Sequence, residues 1–266
     1  MKKVSIQLIF FLLFNYTINA QIPFTLSNSI IFIPSGKSNL TTGENYYIDN
    51  SFDNQIAINI YYKSSTLDFK ELSTYGLGSE YKVSDRFQLY LGFGYFGFDL
   101  MNEMNITSAL SFNFDLLCIG LSAQYNRALI RDFSSEGIFS FDAFGMVSFD
   151  DISFGFLVNN INQAQYSDYK NTLHQRSIFT IGYDISEEIS ADIGTVIIIN
   201  SKSSLLLSTK YQPIKEFAVN LKYLTNNQRI ILGLLIIPSN WLKLNFFFTH
   251  QEIFGADYSL INQIEW

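Results

Sequence analysis

From Gln55 onward, apolar and polar positions alternate with a period of two. In Gln55 to Lys63, Ile56, Ile58, Ile60 and Tyr62 share one side, opposite Gln55, Ala57, Asn59, Tyr61 and Lys63. Successive strand side chains point to opposite faces, so this segment predicts a strand with one wet side. The pattern returns at Phe87, Leu89, Leu91, Phe93 and Tyr95, opposite Gln88, Tyr90, Gly92 and Gly94. It recurs at Leu117 to Asn126, Phe139 to Ser148, Phe217 to Tyr223 and Leu242 to Thr249.

Large apolar residues on one side, with small or polar ones on the other, are what lipid outside and water inside select. The segments run to about ten residues, longer than the five or six of ordinary soluble strands. Tyrosines stand near strand ends, where a membrane interface holds them, and the chain ends on Trp266. The reading is an all-β transmembrane, antiparallel, up-and-down β-barrel of about 14 strands. The strands fall near 54–63, 71–83, 86–97, 103–114, 115–126, 137–149, 152–159, 177–186, 188–199, 203–211, 216–225, 228–237, 241–250 and 255–266. An even count puts both ends of the barrel on the periplasmic side, with tight turns at Ser84-Asp85, Asp150-Asp151 and Glu187-Glu188. The outward side then holds the two longest loops, Arg127 to Glu136 and Asn160 to Arg176.

Composition agrees. Hydrophobic residues make up 48% and aromatics 17%, but only 15% are charged, well below the ~25% of a soluble protein. A net charge of −7 without a basic run excludes nucleic acid as a partner. Met1-Lys2-Lys3, the apolar stretch Val4 to Phe14 and small Ala20 before Gln21 read as a secretory signal over residues 1–20. No later stretch reaches the roughly 18 apolar residues of a transmembrane helix. Residues 21–53 are turn-rich and read as a periplasmic extension, an extra strand or a luminal plug, ahead of the barrel at 54–266.

Catalytic or metal chemistry finds little to stand on. His174 and His250 are isolated, the latter placed in the last outward turn, and the single Cys118 has no partner for an internal disulfide. Gly120-Leu121-Ser122-Ala123-Gln124 lacks the second glycine of a nucleophile elbow. Gly92 to Gly97 lies inside an alternating strand with no helix after it, so its glycines read as small lumen-facing positions rather than a phosphate loop. No enzyme, metal or cofactor is expected.

The inward phase carries charges of both signs: the candidate lumen residues Lys63, Asp142, Asp192, Lys210, Lys222 and Lys243, with Lys82, Asp257 and Glu265 beside them. A self-paired, solvated lumen and a selective constriction both fit this set. Tyr166 and Tyr169, in Gln165 to Lys170, and His250 are candidate outer-loop contacts for a ligand or partner.

The C-terminal third adds a resemblance. Lys210-Tyr211-Gln212-Pro213-Ile214-Lys215-Glu216-Phe217-Ala218-Val219, Thr225-Asn226-Asn227, Gly233 and His250 through Ser259 resemble the closing strands of Bacteroidetes outer-membrane barrels of the PorV/PorQ type, related to FadL-like fatty-acid transporters. Phe139 to Gly145 and Phe154 to Ile161 are similar to that group too. The resemblance covers about half the chain. It implies a fourteen-stranded outer-membrane barrel whose relatives carry hydrophobic small molecules or serve type IX secretion. Residues 21–53 contain neither the Gly- and Ala-rich opening nor the Asn-Pro-Ala motif usual in those families. The expectation is thus a barrel in contact with membrane lipid, carrying a small hydrophobic solute or engaging secretion-system proteins. The alternative is a structural scaffold of a secretion or gliding apparatus without transport.

Overall fold

The computed structural model describes residues 55–64, 73–132, 134–166, 175–199, 201–225, 228–251 and 255–266. The expected signal at 1–20 and the segment 21–53 lie outside the described residues.

Fourteen strands follow one another: β1 (Ile56–Lys63), β2 (Thr74–Ser84), β3 (Phe87–Phe98), β4 (Met101–Phe114), β5 (Leu117–Ile130), β6 (Ser134–Phe149), β7 (Ile152–Asn159), β8 (Arg176–Asp184), β9 (Ile189–Ile198), β10 (Ser204–Ile214), β11 (Phe217–Leu224), β12 (Arg229–Ser239), β13 (Leu242–Gln251) and β14 (Gly255–Glu265). Each pairs antiparallel with its neighbours in sequence, and β1 pairs with β14 to close the barrel. At that seam Ile56 and Trp266 exchange both backbone hydrogen bonds, at 3.0 and 2.9 Å. Closure joins the first strand to the last, so the sheet has no free end strand, which the hydrocarbon of a bilayer would not tolerate.

The alternation predicts the faces. Ala57, Asn59 and Tyr61 are buried inside, while Ile56 and Ile60 are exposed outside. The outer surface forms a band of large apolar residues around the ring, including Leu77, Leu91, Leu121, Ile181, Ile193 and Leu221. Exposed aromatics border the band on both sides. Tyr81, Phe149, Tyr183, Tyr211, Trp241 and Trp266 lie near one end; Tyr62, Tyr75, Tyr223 and Tyr258 lie near the other. Two aromatic girdles flanking an apolar band are the exterior of a transmembrane barrel.

Turns at the end shared by Ile56 and Trp266 are tight, two residues each except for four between β8 and β9. That is the periplasmic end of an outer-membrane barrel. The other end carries the long connections 64–73 and 160–175. One expected long loop is absent: β5 and β6 extend through most of 127–136, pairing Arg127 with Gly137 and Ile130 with Ser134. The alternation continues through this stretch, with Ala128 and Ile138 buried on the inner side, so the hairpin is taller than its polar residues suggest. β2 begins at Thr74 rather than 71. β6 spans 16 residues beside the eight of β7, leaving its upper half without β7 as a partner.

An exterior immersed in lipid sets a cost for charge. Leu121→Arg, at an outward position in the middle of β5, is expected to destabilise the barrel by about 2–4 kcal/mol in vesicles. Denaturant titration followed by tryptophan fluorescence measures it. A loss no larger than that of Leu121→Ala would mean this face does not meet hydrocarbon.

Candidate functional site: the barrel lumen

A belt of apolar side chains lies inside the wall. Tyr90, Phe144, Leu157, Ile178, Leu206 and Ile231 are each at most 2% exposed and belong to one packed cluster. The cluster runs from β3 through β12, with Phe247 of β13 packed against it. Glycines shape the wall behind its rings. A Cβ on Gly78 would lie 2.8 Å from the Tyr90 hydroxyl oxygen, and a Cβ on Gly92 would strike the same hydroxyl. Phe144 covers Gly120 in the same way, and Tyr61 covers Gly76. These glycines let rings lie close against the backbone, one of the uses of glycine inside a strand. Cys118 is buried on the inner side, paired in register with Met146 of the belt.

Above the belt, the β4–β6 wall holds a polar ladder. Asp142, 2% exposed, accepts hydrogen bonds at Oδ2 from Ser122 Oγ (2.9 Å) and from Gln124 Nε2, and at Oδ1 from the Asn160 backbone N–H (2.8 Å). Asn105 Nδ2 donates to Asn126 Oδ1 (2.7 Å) and to Gln124 Oε1 (3.2 Å), while Thr107 Oγ1 donates to Asn105 Oδ1 (2.6 Å). Asn126 Nδ2 reaches Ser140 Oγ at 3.1 Å. Amides supply both donors and acceptors, so a chain of them can satisfy itself where water is scarce.

The remaining lumen charges divide by sector. Around the seam, Lys63 pairs with Asp257 at 3.5 Å and Lys243 with Glu265 at 2.6 Å. On β9–β11, Asp192, Ser208 and Lys222 occupy one cross-strand row, with Lys210 one inward position nearer the periplasmic end. All six candidate lumen residues therefore lie on the inner phase, though the structure distributes them around the ring rather than joining them in one constriction. The apolar belt was not legible in the sequence, because Leu157, Ile178, Leu206 and Ile231 each stand next to an outward apolar residue, which hides the inner phase.

The outer-loop candidates fare differently. The β7–β8 connection bends at Asn160 and Gln163, both at φ 50°, and returns over β6. Asn162 accepts from the Phe141 N–H (3.0 Å) and donates to the Phe139 carbonyl (2.8 Å), occupying the edge β7 leaves open. Tyr166 is not an exposed contact: it is 3% exposed and packs on Ala128 and Ile138 at the outer mouth. Burial, then the charges of Glu103 and Glu136, pushes its hydroxyl pKa up, keeping it neutral. His250 is part of β13 and points outward, away from the lumen, because Thr249 takes the inner phase. Tyr169 and His174 lie outside the described residues. Among the described residues, no cluster of three or more His, Cys, Asp or Glu could hold a metal ion.

Comparison with known proteins bears on the fold. No protein-family model matches the chain, and no curated protein matches it. Among solved structures it is similar to the outer membrane protein Omp33 of Acinetobacter baumannii, with 8% identity and a TM-score of 0.54 over 81% of this chain and 100% of that one. Weaker likenesses are to the KdgM porin (10% identity, TM-score 0.47, 79% and 99% covered) and a Rhodopseudomonas blastica porin mutant (7%, 0.47, 79% and 98%). Omp33 shares the barrel fold. Together with the closed ring, apolar band and aromatic girdles, that shared fold makes this chain an outer-membrane β-barrel. The likeness is to outer-membrane barrels in general and does not reach the PorV/PorQ or FadL-like type.

The ladder hangs on Asp142. Asp142→Ala is expected to cost about 3 kcal/mol, since it leaves Ser122, Gln124 and the Asn160 N–H without their buried acceptor. Urea unfolding in detergent measures the loss, and protease cleavage after Lys170 should quicken as the loop loses its anchor. An unchanged midpoint and cleavage rate would mean that the ladder holds without it.

Proposed function

We propose that this barrel is a gated outer-membrane transporter for small solutes that carry an apolar portion. The observation that carries the reading is the buried belt from Tyr90 to Ile231, which crosses the interior sectors of β3 to β12. A bore for inorganic ions or strongly hydrated solutes is lined with polar groups, whereas apolar constrictions repel water and close by dewetting. A solute with an apolar group finds compensating contacts there, as in apolar ligand sites generally. The belt's side chains are nearly inaccessible, so passage requires them to move apart, and Tyr90 and Phe144 are the largest rings to displace. The resemblance to FadL-like barrels favours the same substrate class.

The buried belt is also compatible with a second reading, a scaffold barrel serving type IX secretion or gliding, which needs no passage through the lumen. The two differ in flux. Proteoliposomes carrying the full mature chain are expected to take up p-nitrophenyl glucoside faster than glucose, and Phe144→Ala is expected to raise both rates several-fold. Folded protein is verified by heat-modifiable migration. A folded barrel that passes neither solute would remove the transport reading, and a partner captured by crosslinking in native membranes would then support the scaffold.

A further inference from the structure

The outward face of β5 changes character at one residue. From the periplasmic start its outward positions are Leu117, Ile119, Leu121, Ala123 and Tyr125, and the next is Arg127, which is exposed. That much strand, tilted by about 40°, climbs roughly 25 Å, the height of the apolar band of such barrels. Arg127 therefore stands where hydrocarbon ends and the headgroups of the outer leaflet begin.

Its surroundings hold it in place. Arg127 Nε donates to Ser135 Oγ of β6 at 2.9 Å, which leaves both Nη groups of the fork for another acceptor. The residue opposite Arg127 is Gly137, and the Tyr125 hydroxyl occupies the place a Cβ on Gly137 would take. Just below, the Tyr125 and Phe139 rings meet with centroids 5.0 Å apart, and Phe139 is 62% exposed. Arg131 follows at the tip of the same hairpin, also exposed. Asp99 and Asp132 are exposed at the neighbouring tips, yet among the described residues no ion pair joins either to an arginine. Elsewhere the outer girdle presents tyrosines, Tyr62, Tyr75, Tyr223 and Tyr258, so these two guanidiniums concentrate positive charge on one side of the ring.

We propose that the outer face of the β5–β6 hairpin binds an anionic, phosphate-bearing lipid of the outer leaflet, its phosphate held by Arg127 and Arg131 and its acyl chains lying over Phe139 and Leu121. A guanidinium keeps its charge and matches phosphate with two parallel hydrogen bonds. At the edge of hydrocarbon such a pair is screened less than in bulk water. The occupant is a lipid rather than a soluble anion because the arginines open on the membrane side of the wall, directly above an exposed apolar surface from which a soluble anion gains nothing. The site lies outside the lumen and does not depend on the transport reading.

The test sets a reporter beside the site. Ile106 is outward and paired across from Tyr125, so Ile106→Trp places an indole there, while Trp241 and Trp266 at the periplasmic end give the reference in the chain that keeps Ile106. The full mature chain is refolded into phosphatidylcholine vesicles containing a minor fraction of brominated phosphatidylglycerol or of brominated phosphatidylcholine, and folding is verified by heat-modifiable migration. Relative to the reference, quenching of the added tryptophan by the anionic lipid is expected to exceed quenching by the zwitterionic one several-fold, and to lose that excess in the double variant Arg127→Gln, Arg131→Gln. Inorganic phosphate, compared with chloride at equal ionic strength, is expected to leave the excess in place. Equal quenching by the two lipids with both arginines present overturns the proposal, whether or not the double variant folds. An excess that survives the loss of both arginines overturns it as well. So does an excess that phosphate removes and chloride does not, which would assign the arginines to a soluble anion.

Discussion

Everything in this molecule depends on the hydrogen bonds that join β1 to β14. A bilayer interior offers no water to an unpaired peptide group, so a sheet enters it only when its first and last strands meet. Here the seam runs from Ile56 and Trp266 to Lys63 and Ser259 and is reinforced inside by Lys63–Asp257, while Lys243–Glu265 ties β14 to β13 beside it. Two buried ion pairs beside one junction restrict register, because a slip of one residue would turn each charge outward into lipid. Closure and charge pairing thus specify the same alignment.

Once the ring is closed, the inner phase must satisfy itself, and this chain does so with polar and apolar groups at different levels. Amides and hydroxyls on β4–β6 form a self-satisfied ladder around Asp142, while aliphatic and aromatic side chains meet beneath it. Glycines 76, 78, 92 and 120 give those rings their place against the wall. The β7–β8 connection then completes the wall where β7 is too short, with Asn162 standing in for a strand residue.

The fold was legible because lipid imposes a rule that most outward residues of the apolar band obey. Ile56, Ile58, Ile60 and Tyr62 declare their face without any knowledge of neighbours, and the same holds for β3, β5, β11 and β13. The phase of the lumen charges followed directly. What stayed hidden depends on contacts between distant strands. Leu157, Ile178 and Leu206 look the same as lipid-facing residues in a list of apolar positions, and only the register shows that they turn inward together. Tyr166 looked exposed because its neighbours are polar, yet the tall β5–β6 hairpin offers it Ala128 and Ile138. Arg127 to Glu136 looked like a loop because that hairpin rises past the apolar band, where polar outward residues such as Arg127 no longer meet hydrocarbon.

The position of Cys118 gives the molecule an internal reporter. It is the only sulfhydryl in the chain, it faces inward, and it lies beside Met146 on the periplasmic flank of Phe144. A thiol reagent too polar to cross lipid meets the belt before it meets the sulfur when it arrives from the outer mouth. The rate at which that thiol is modified is therefore a clock for the separation of the rings, kept by the native sequence without any engineered label.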